Sequence, residues 1–553
     1  MDLQFNPDPA RLPQATADGV RFVFDAAPDT ACVALAGTFN CWAGDACMLE
    51  RITPTRWQAT LPIPAGRHLY KFVINNTDWI ADPANPWISE DGQHNSCLTV
   101  DASGAVLMRH AGLSAAAPGP LHGRQALASP EWLRDGVIYQ LSVPAFGGSF
   151  DGVRARLPYL AELGVNVLWL MPFHPIGIEG RRGALGDPYA VRDFDAIDPA
   201  LGDAESLHAL VDAAHARGMR VMMDWTLNRS SVDHPFTRTH PHWYTRREHC
   251  SSDDSSGGRI YYAVPNREYF AGFDFADRGL RSYLIGSMRG WIERFGFDGL
   301  RFDDSDITPC DFLDEIRLAL AAVRPDIALI SQSYDEFHHL AACDLTYEGG
   351  TREMLRRCAH GEADGAAFAR YWNESAYSFP RGALRMRWLE DKEQGRASAF
   401  LGRAAHRPAA AVLLSMDGVP HILMGQECDE PSWTGWQVLF EPYQIDWNAC
   451  DGQLFAHYQT LIGLRRRHAA LRTGATAFLD GLPPGAVGFT RRNKDENMLV
   501  LANLSPSAVT FDAALAHAQP QYASGWQRHS ATLAPYGWMI GTITHPDSSR
   551  QIS

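Results

Sequence analysis

From Gly136 onward the chain alternates short apolar runs of β type with stretches whose apolar residues recur at helical spacing. That pattern marks strands joined by helices into a parallel sheet buried on both faces. The runs are Val137 to Gln140, Val165 to Pro172, Arg220 to Asp224, a stretch ending at Asp303, Ile327 to Ser333, Asp344 to Tyr347, Leu384 to Leu389 and His421 to Gly425. They predict a (β/α)8 TIM barrel, closed by the helix-like stretch from Leu454 to His468. In such a barrel the chemistry sits at the C-terminal ends of the strands.

The flanks differ. Val20 to Val100 reads as short alternating strands with turn residues between them, an all-β module. The stretch 102–128, rich in Ala, Gly and Pro, reads as a linker, and Val487 to Ile543 returns to short strands. A net charge of −15 disfavours nucleic acid and anionic membranes as partners and suits a neutral substrate. The ten cysteines show neither a CxxC pair nor metal-ligand spacing and read as buried or free thiols. Met1 to Pro13 lacks a signal pattern and no apolar run spans a bilayer, so a cytoplasmic location is expected.

Leu284 to Phe295 has the periodicity of a helix, and Gly296 is placed to end it. In the short β run that follows, Arg301 and Asp303 fall on one face at its C-terminal end. A carboxylate beside an arginine there can be held ionised and aimed as a nucleophile; the same pair can also be a structural ion pair. The stretch Gly296-Phe297-Asp298-Gly299-Leu300-Arg301-Phe302-Asp303, preceded by Trp291, resembles the nucleophile strand of the α-amylase family, glycoside hydrolase family 13. The resemblance implies Asp303 as nucleophile and Arg301 as its orienting arginine.

It extends along most of the chain. Asp187-Pro188-Tyr189 resembles the segment whose Tyr packs under the sugar, so Tyr189 is a stacking candidate. Asp224-Trp225-Thr226-Leu227-Asn228-Arg229 resembles the third-strand motif, with Arg229 where the family usually has a sugar-binding His. Asp224 and Asn228 match positions that help bind calcium in some members, but no dense acidic loop follows, and no metal or other cofactor is predicted. Leu389-Glu390-Asp391-Lys392-Glu393-Gln394-Gly395-Arg396 resembles the fourth motif: Lys392 takes the His place and Glu393 that of the transition-state-stabilising Asp. Gly37-Thr38-Phe39-Asn40-Cys41-Trp42, with Trp57, Tyr70-Lys71-Phe72, Trp79 and Asn95, resembles a glycogen-binding type of carbohydrate-binding module. Trp42, Lys71, Trp79 and Asn95 are its sugar-binding candidates; the other reading is sandwich core, which is preferred for Trp57. The implied division is a β-sandwich module at 1–101, the linker, a barrel at 129–475 with a small inserted domain at about 228–272, and a C-terminal β-sandwich at 476–553. Asp253-Asp254 in the insertion reads as a solvated loop.

One departure bears on activity. Gln332, in Ser331-Gln332-Ser333-Tyr334-Asp335, stands where the family's general acid/base Glu is expected. Gln is nearly isosteric with Glu but donates no acidic proton, and a retaining glycosidase needs that donor as well as its nucleophile. Three accounts stand open. Gln332 is a replacement made to trap substrate. Or it is natural in an enzyme whose substrate has a good leaving group, or whose acid is Asp335, Glu336 or Glu393. Or it marks a glucan-binding protein that has lost catalysis. The resemblance implies retaining cleavage or transfer of α-glucosidic bonds in an α-glucan or maltooligosaccharide, tilted toward α-1,6 bonds. The alternative is a non-catalytic glucan-binding or regulatory protein.

Overall fold

The computed structural model describes residues 11–40, 42–85, 88–89, 95–100, 103–107, 123–245 and 269–543. Most of the expected insertion, including Asp253-Asp254, and most of the linker lie outside these residues.

Eight parallel strands close into a barrel. They are β1 (Ile138–Leu141), β2 (Val167–Leu170), β3 (Arg220–Thr226), β4 (Gly299–Asp303), β5 (Ala328–Ser331), β6 (Leu345–Glu348), β7 (Leu384–Trp388) and β8 (Val419–Leu423). Alternation along each strand divides the core. Leu300, Phe302, Leu329 and Val221 face the surrounding helices, while Trp169, Met222, Ile330, Tyr347 and Trp388 fill the barrel interior. Arg301 and Asp303 share the inward face and end it in charge.

The entry to β4 is closely specified. The helix Arg278–Phe295 starts at Asp277, whose carboxylate accepts from the amides of Gly279 and Leu280 at 2.7 and 3.0 Å. It ends at Gly296, whose φ of 73° is the left-handed cap expected there. Asp298 is fully buried and accepts from the Val221 amide at 2.8 Å, from His215 and Arg220 at 2.7 Å each, and from Arg324. At Gly299 a Cβ would lie 2.5 Å from the Ala328 carbonyl oxygen, so only glycine lets β4 approach β5.

The N-terminal module is a sandwich of a four-stranded and a five-stranded sheet. Its core includes Phe22, Phe24, Leu35, Tyr70, Phe72 and Trp57, which is 5% exposed. Its last strand, Val106–Leu107, falls inside the stretch expected as linker. The C-terminal region is the all-β domain expected there, six antiparallel strands of which three pair with the long last strand, Thr532–Thr542. One face carries Leu499, Leu501, Leu533 and Met539; from the other, Val500, Ala502, Trp538 and Ile540 join the barrel's core. Barrel helices supply the second layer.

Cys428 and Cys450 form a disulfide, which corrects their reading as thiols. They are 22 residues apart, and the loops after β8 bring their Cα atoms to 4.6 Å. Among the described residues no helix is long and apolar enough to cross a membrane.

Candidate active site

The C-terminal ends of the strands open into a cavity of about 350 Å³. Arg301 organises its floor. One guanidinium nitrogen donates to Asp224 at 2.9 Å and to Asp303 at 2.6 Å; the other two donate to the Tyr347 hydroxyl at 2.9 and 3.2 Å. Asp224 also accepts from Trp169 Nε1 at 3.1 Å and from the Tyr189 hydroxyl at 2.8 Å. Asp224 therefore lies in the floor, with its carboxylate bonded to three protein partners. Burial pushes that carboxyl's pKa up, against the pull of Arg301.

Two further cations reach Asp303. The Arg229 guanidinium donates to it, and also to Asp304 at 2.5 Å and Asn228 Oδ1 at 2.8 Å. Lys392 Nζ donates to Asp303 at 2.6 Å and stands 3.5 Å from the centre of the Tyr189 ring. Burial pushes the Asp303 pKa up, but Lys392, Arg301 and Arg229 together hold the carboxyl well below the usual carboxylate range. Asp303 is thus held as a carboxylate. Its two oxygens are also both occupied, and the residue is 2% exposed.

Gln332 follows β5 and lines the cavity. Its side-chain oxygen accepts from the Asp304 amide at 3.1 Å, and its backbone amide donates to the Phe302 carbonyl at 3.0 Å. Of the three other acids considered, only Glu393 lines the cavity. Asp335 turns toward the N-terminal module, accepting from the Arg67 amide at 3.0 Å and the Phe337 amide at 2.8 Å. Glu336 is 2% exposed and stands outside the cavity lining. Glu393 stays near solvent, 3.3 Å from Lys392 Nζ.

The cavity also holds groups that the motif reading passed over. Asp304 sits in the left-handed region at φ 44°, which turns its amide toward Gln332 and its carboxylate toward Arg229. Tyr347 was visible only as part of a strand. Asp391 lines the cavity, and burial, then the charge of Glu393, pushes its carboxyl up to about 6. The sequence signal for it is a carboxylate inside the fourth motif, directly before Lys392 and Glu393. Glu390 of the same motif is structural, accepting from Arg396 and the Ala397 amide at 2.7 Å each.

In the N-terminal module Trp42 and Trp79 lie side by side, ring centres 6.4 Å apart, over Ala34, Ala36 and Val73. Trp42 is presented by a left-handed turn, φ 59°. Lys71 and Val73 alternate onto the same face of their strand, Gly66–Ile74. Asn95, by contrast, is 7% exposed, and its backbone pairs with Ser89.

Residues 122–248 match the model of the alpha amylase catalytic domain, and residues 20–106 match that of the glycogen recognition site of AMP-activated protein kinase. The segment 122–248, which holds the first three barrel strands, is thus similar to the α-amylase catalytic domain of glycoside hydrolase family 13. The alpha-amylase MalA of Haloarcula japonica is 24% identical over 70% of this chain, a match that spans 58% of that protein's length. A cyclomaltodextrinase of a Bacillus species is 25% identical over 68% of this chain and 73% of its own. The crystal structure of a maltogenic alpha-amylase, AmyB from Thermotoga neapolitana, superposes with a TM-score of 0.65 at 27% identity, covering 75% of this chain and 99% of that one. The barrel is thus preceded by a module similar to the glycogen recognition site of AMP-activated protein kinase.

Proposed function

We propose that this chain acts on α-glucosidic bonds of an α-glucan or maltooligosaccharide by a retaining route, with Asp303 as the nucleophile. The observation that carries this reading is Asp303 itself, ionised and fixed at the end of β4 by Arg301, which Asp224 and Tyr347 hold in turn. In the first step an Asp303 oxygen bonds to the anomeric carbon while the glycosidic oxygen leaves; in the second, water or a sugar hydroxyl displaces Asp303. Gln332 supplies no proton to the leaving oxygen, so unactivated glucans react slowly and donors whose leaving group needs no proton react readily. The preference for α-1,6 over α-1,4 bonds belongs to this reading and rests on the N-terminal module alone.

A second reading rests on Lys392. Its ammonium occupies the face of Tyr189 expected to support a sugar and ties down one Asp303 oxygen. A cleft filled in this way suits glucan binding without turnover.

Incubation with α-maltosyl fluoride, followed by intact-mass and peptide analysis, separates the two. The nucleophile reading expects a maltosyl adduct on Asp303, absent in Asp303→Asn. Unmodified protein that still binds maltooligosaccharides would establish the second reading.

A further inference from the structure

Behind the Gln332 loop, away from the sugar cavity, three metal-binding side chains converge. Cys310 opens the helix Cys310–Val323, which follows β4; Asp335 and His338 both lie on the turn after β5. One ligand atom from each, a thiol sulfur, a carboxylate oxygen and an imidazole nitrogen, lies within 4.8 Å of the others. We propose that Cys310, Asp335 and His338 bind a divalent transition metal of the zinc type, with a water completing the set.

The donor chemistry selects the metal. A thiolate, an imidazole and a carboxylate suit zinc or cobalt, whereas magnesium and calcium take all-oxygen sites. The imidazole is already oriented. His338 Nδ1 pairs with the Ser331 hydroxyl at 2.7 Å, and Ser331 pairs with Ser305 at 2.7 Å, which leaves Nε2 for the metal. Such an outer partner is what fixes the tautomer and aim of a ligating histidine. Asp335 is fixed by the Arg67 and Phe337 amides, and each carboxylate oxygen keeps a lone pair for a metal. Asp311 and Asp314, on the Cys310 helix, act electrostatically on the thiol and add negative charge that a cation would offset.

A metal here would join three parts of the molecule. It would bind the segment after Asp303, through Cys310, to the loop that carries Gln332, and that loop is already held by Arg67 of the N-terminal module. The sequence hides the site because Cys310 lies 25 residues before Asp335.

The test uses the full chain, stripped of metal and titrated with cobalt(II), then with zinc(II), and with magnesium as a control. The site predicts one equivalent of cobalt with a thiolate-to-cobalt charge-transfer absorption, which zinc displaces and magnesium does not. Cys310→Ser, at an exposed position, should abolish that absorption. Ser331→Ala should weaken zinc binding by ~10–100-fold while leaving the ligand set intact. No cobalt uptake, uptake without the thiolate band, or a band that survives Cys310→Ser would each overturn the proposal.

Discussion

At the scale of single residues, the cleft is governed by charges that it cannot easily lose. Asp303 offsets Arg229, Arg301 and Lys392 together, so removing it leaves buried cations without their shared partner. Gln332 is the residue whose exchange tests chemistry with least disturbance to packing. Gln332→Glu keeps an oxygen for the Asp304 amide and adds an acid. If proton donation is what the site lacks, turnover of maltooligosaccharides should rise ~10²–10⁴-fold, with a far smaller gain on α-maltosyl fluoride. An equal gain on both donors would show that Gln332 does not limit leaving-group departure. Asp391 offers a test of stability. Its carboxyl is pushed up to about 6 in the fold, above the value near 3.8 of a free side chain. The folded protein therefore holds this proton more tightly than the unfolded chain does. The stability it lends is complete below about pH 4 and is lost as pH rises through about 6, up to about 2–3 kcal/mol. Asp391→Asn should raise the melting temperature at pH 7.5 and raise it by well under half as much at pH 4.5. Thermal melts at the two pH values check the sign, and stabilisation confined to the acid side would refute it.

At the scale of elements, much of the barrel was legible because its signal is local. Apolar runs of strand length, Gly296 after a helical period, and the two-residue alternation of Arg301 and Asp303 all follow from backbone geometry and burial. What the sequence withheld depends on loops meeting in space. The pairing of Cys428 with Cys450, the approach of Lys392 to Tyr189, the burial of Asp391 and the turning away of Asp335 leave no periodic trace. The loop after β5 is the clearest case. Read linearly, Asp335 and Glu336 are spare acids beside Gln332; in space, Asp335 is the seat of the N-terminal module. Arg67 donates from its side chain to the Tyr334 carbonyl at 2.7 Å and lies over the Tyr334 ring at 5.6 Å. Arg67→Ala removes these contacts and leaves its backbone bond to Asp335. The expected result is faster amide hydrogen exchange across 332–338 with no change in the strands of the C-terminal sheet. Unaltered exchange in that loop would mean that the Arg67 side chain does not hold it.

At the scale of the whole molecule, the module has two possible contributions, and deleting it would merge them. It buttresses the Gln332 loop through Arg67, and it carries the Trp42–Trp79 pair on another part of its surface. Removing the whole module would expose Asp335 and loosen the cavity at the same time as any sugar-binding face was lost. Substituting the rings separates the effects, because Trp42 and Trp79 are half-buried and pack on Ala34, Ala36 and Val73 rather than on the barrel. If these rings stack on glucose units, Trp42→Ala and Trp79→Ala should each weaken binding to glycogen by about tenfold, on the order of 1–1.5 kcal/mol. Affinity for a short maltooligosaccharide held in the barrel cleft should stay as it was. Lys71→Ala should follow the tryptophans, since it shares their face, whereas Asn95→Ala should act on stability, since Asn95 is buried. Affinity electrophoresis in glycogen gels and calorimetry with maltotetraose measure the two sites independently. Glycogen affinity that survives the loss of both rings would leave the Arg67 clamp as the module's contribution to the site.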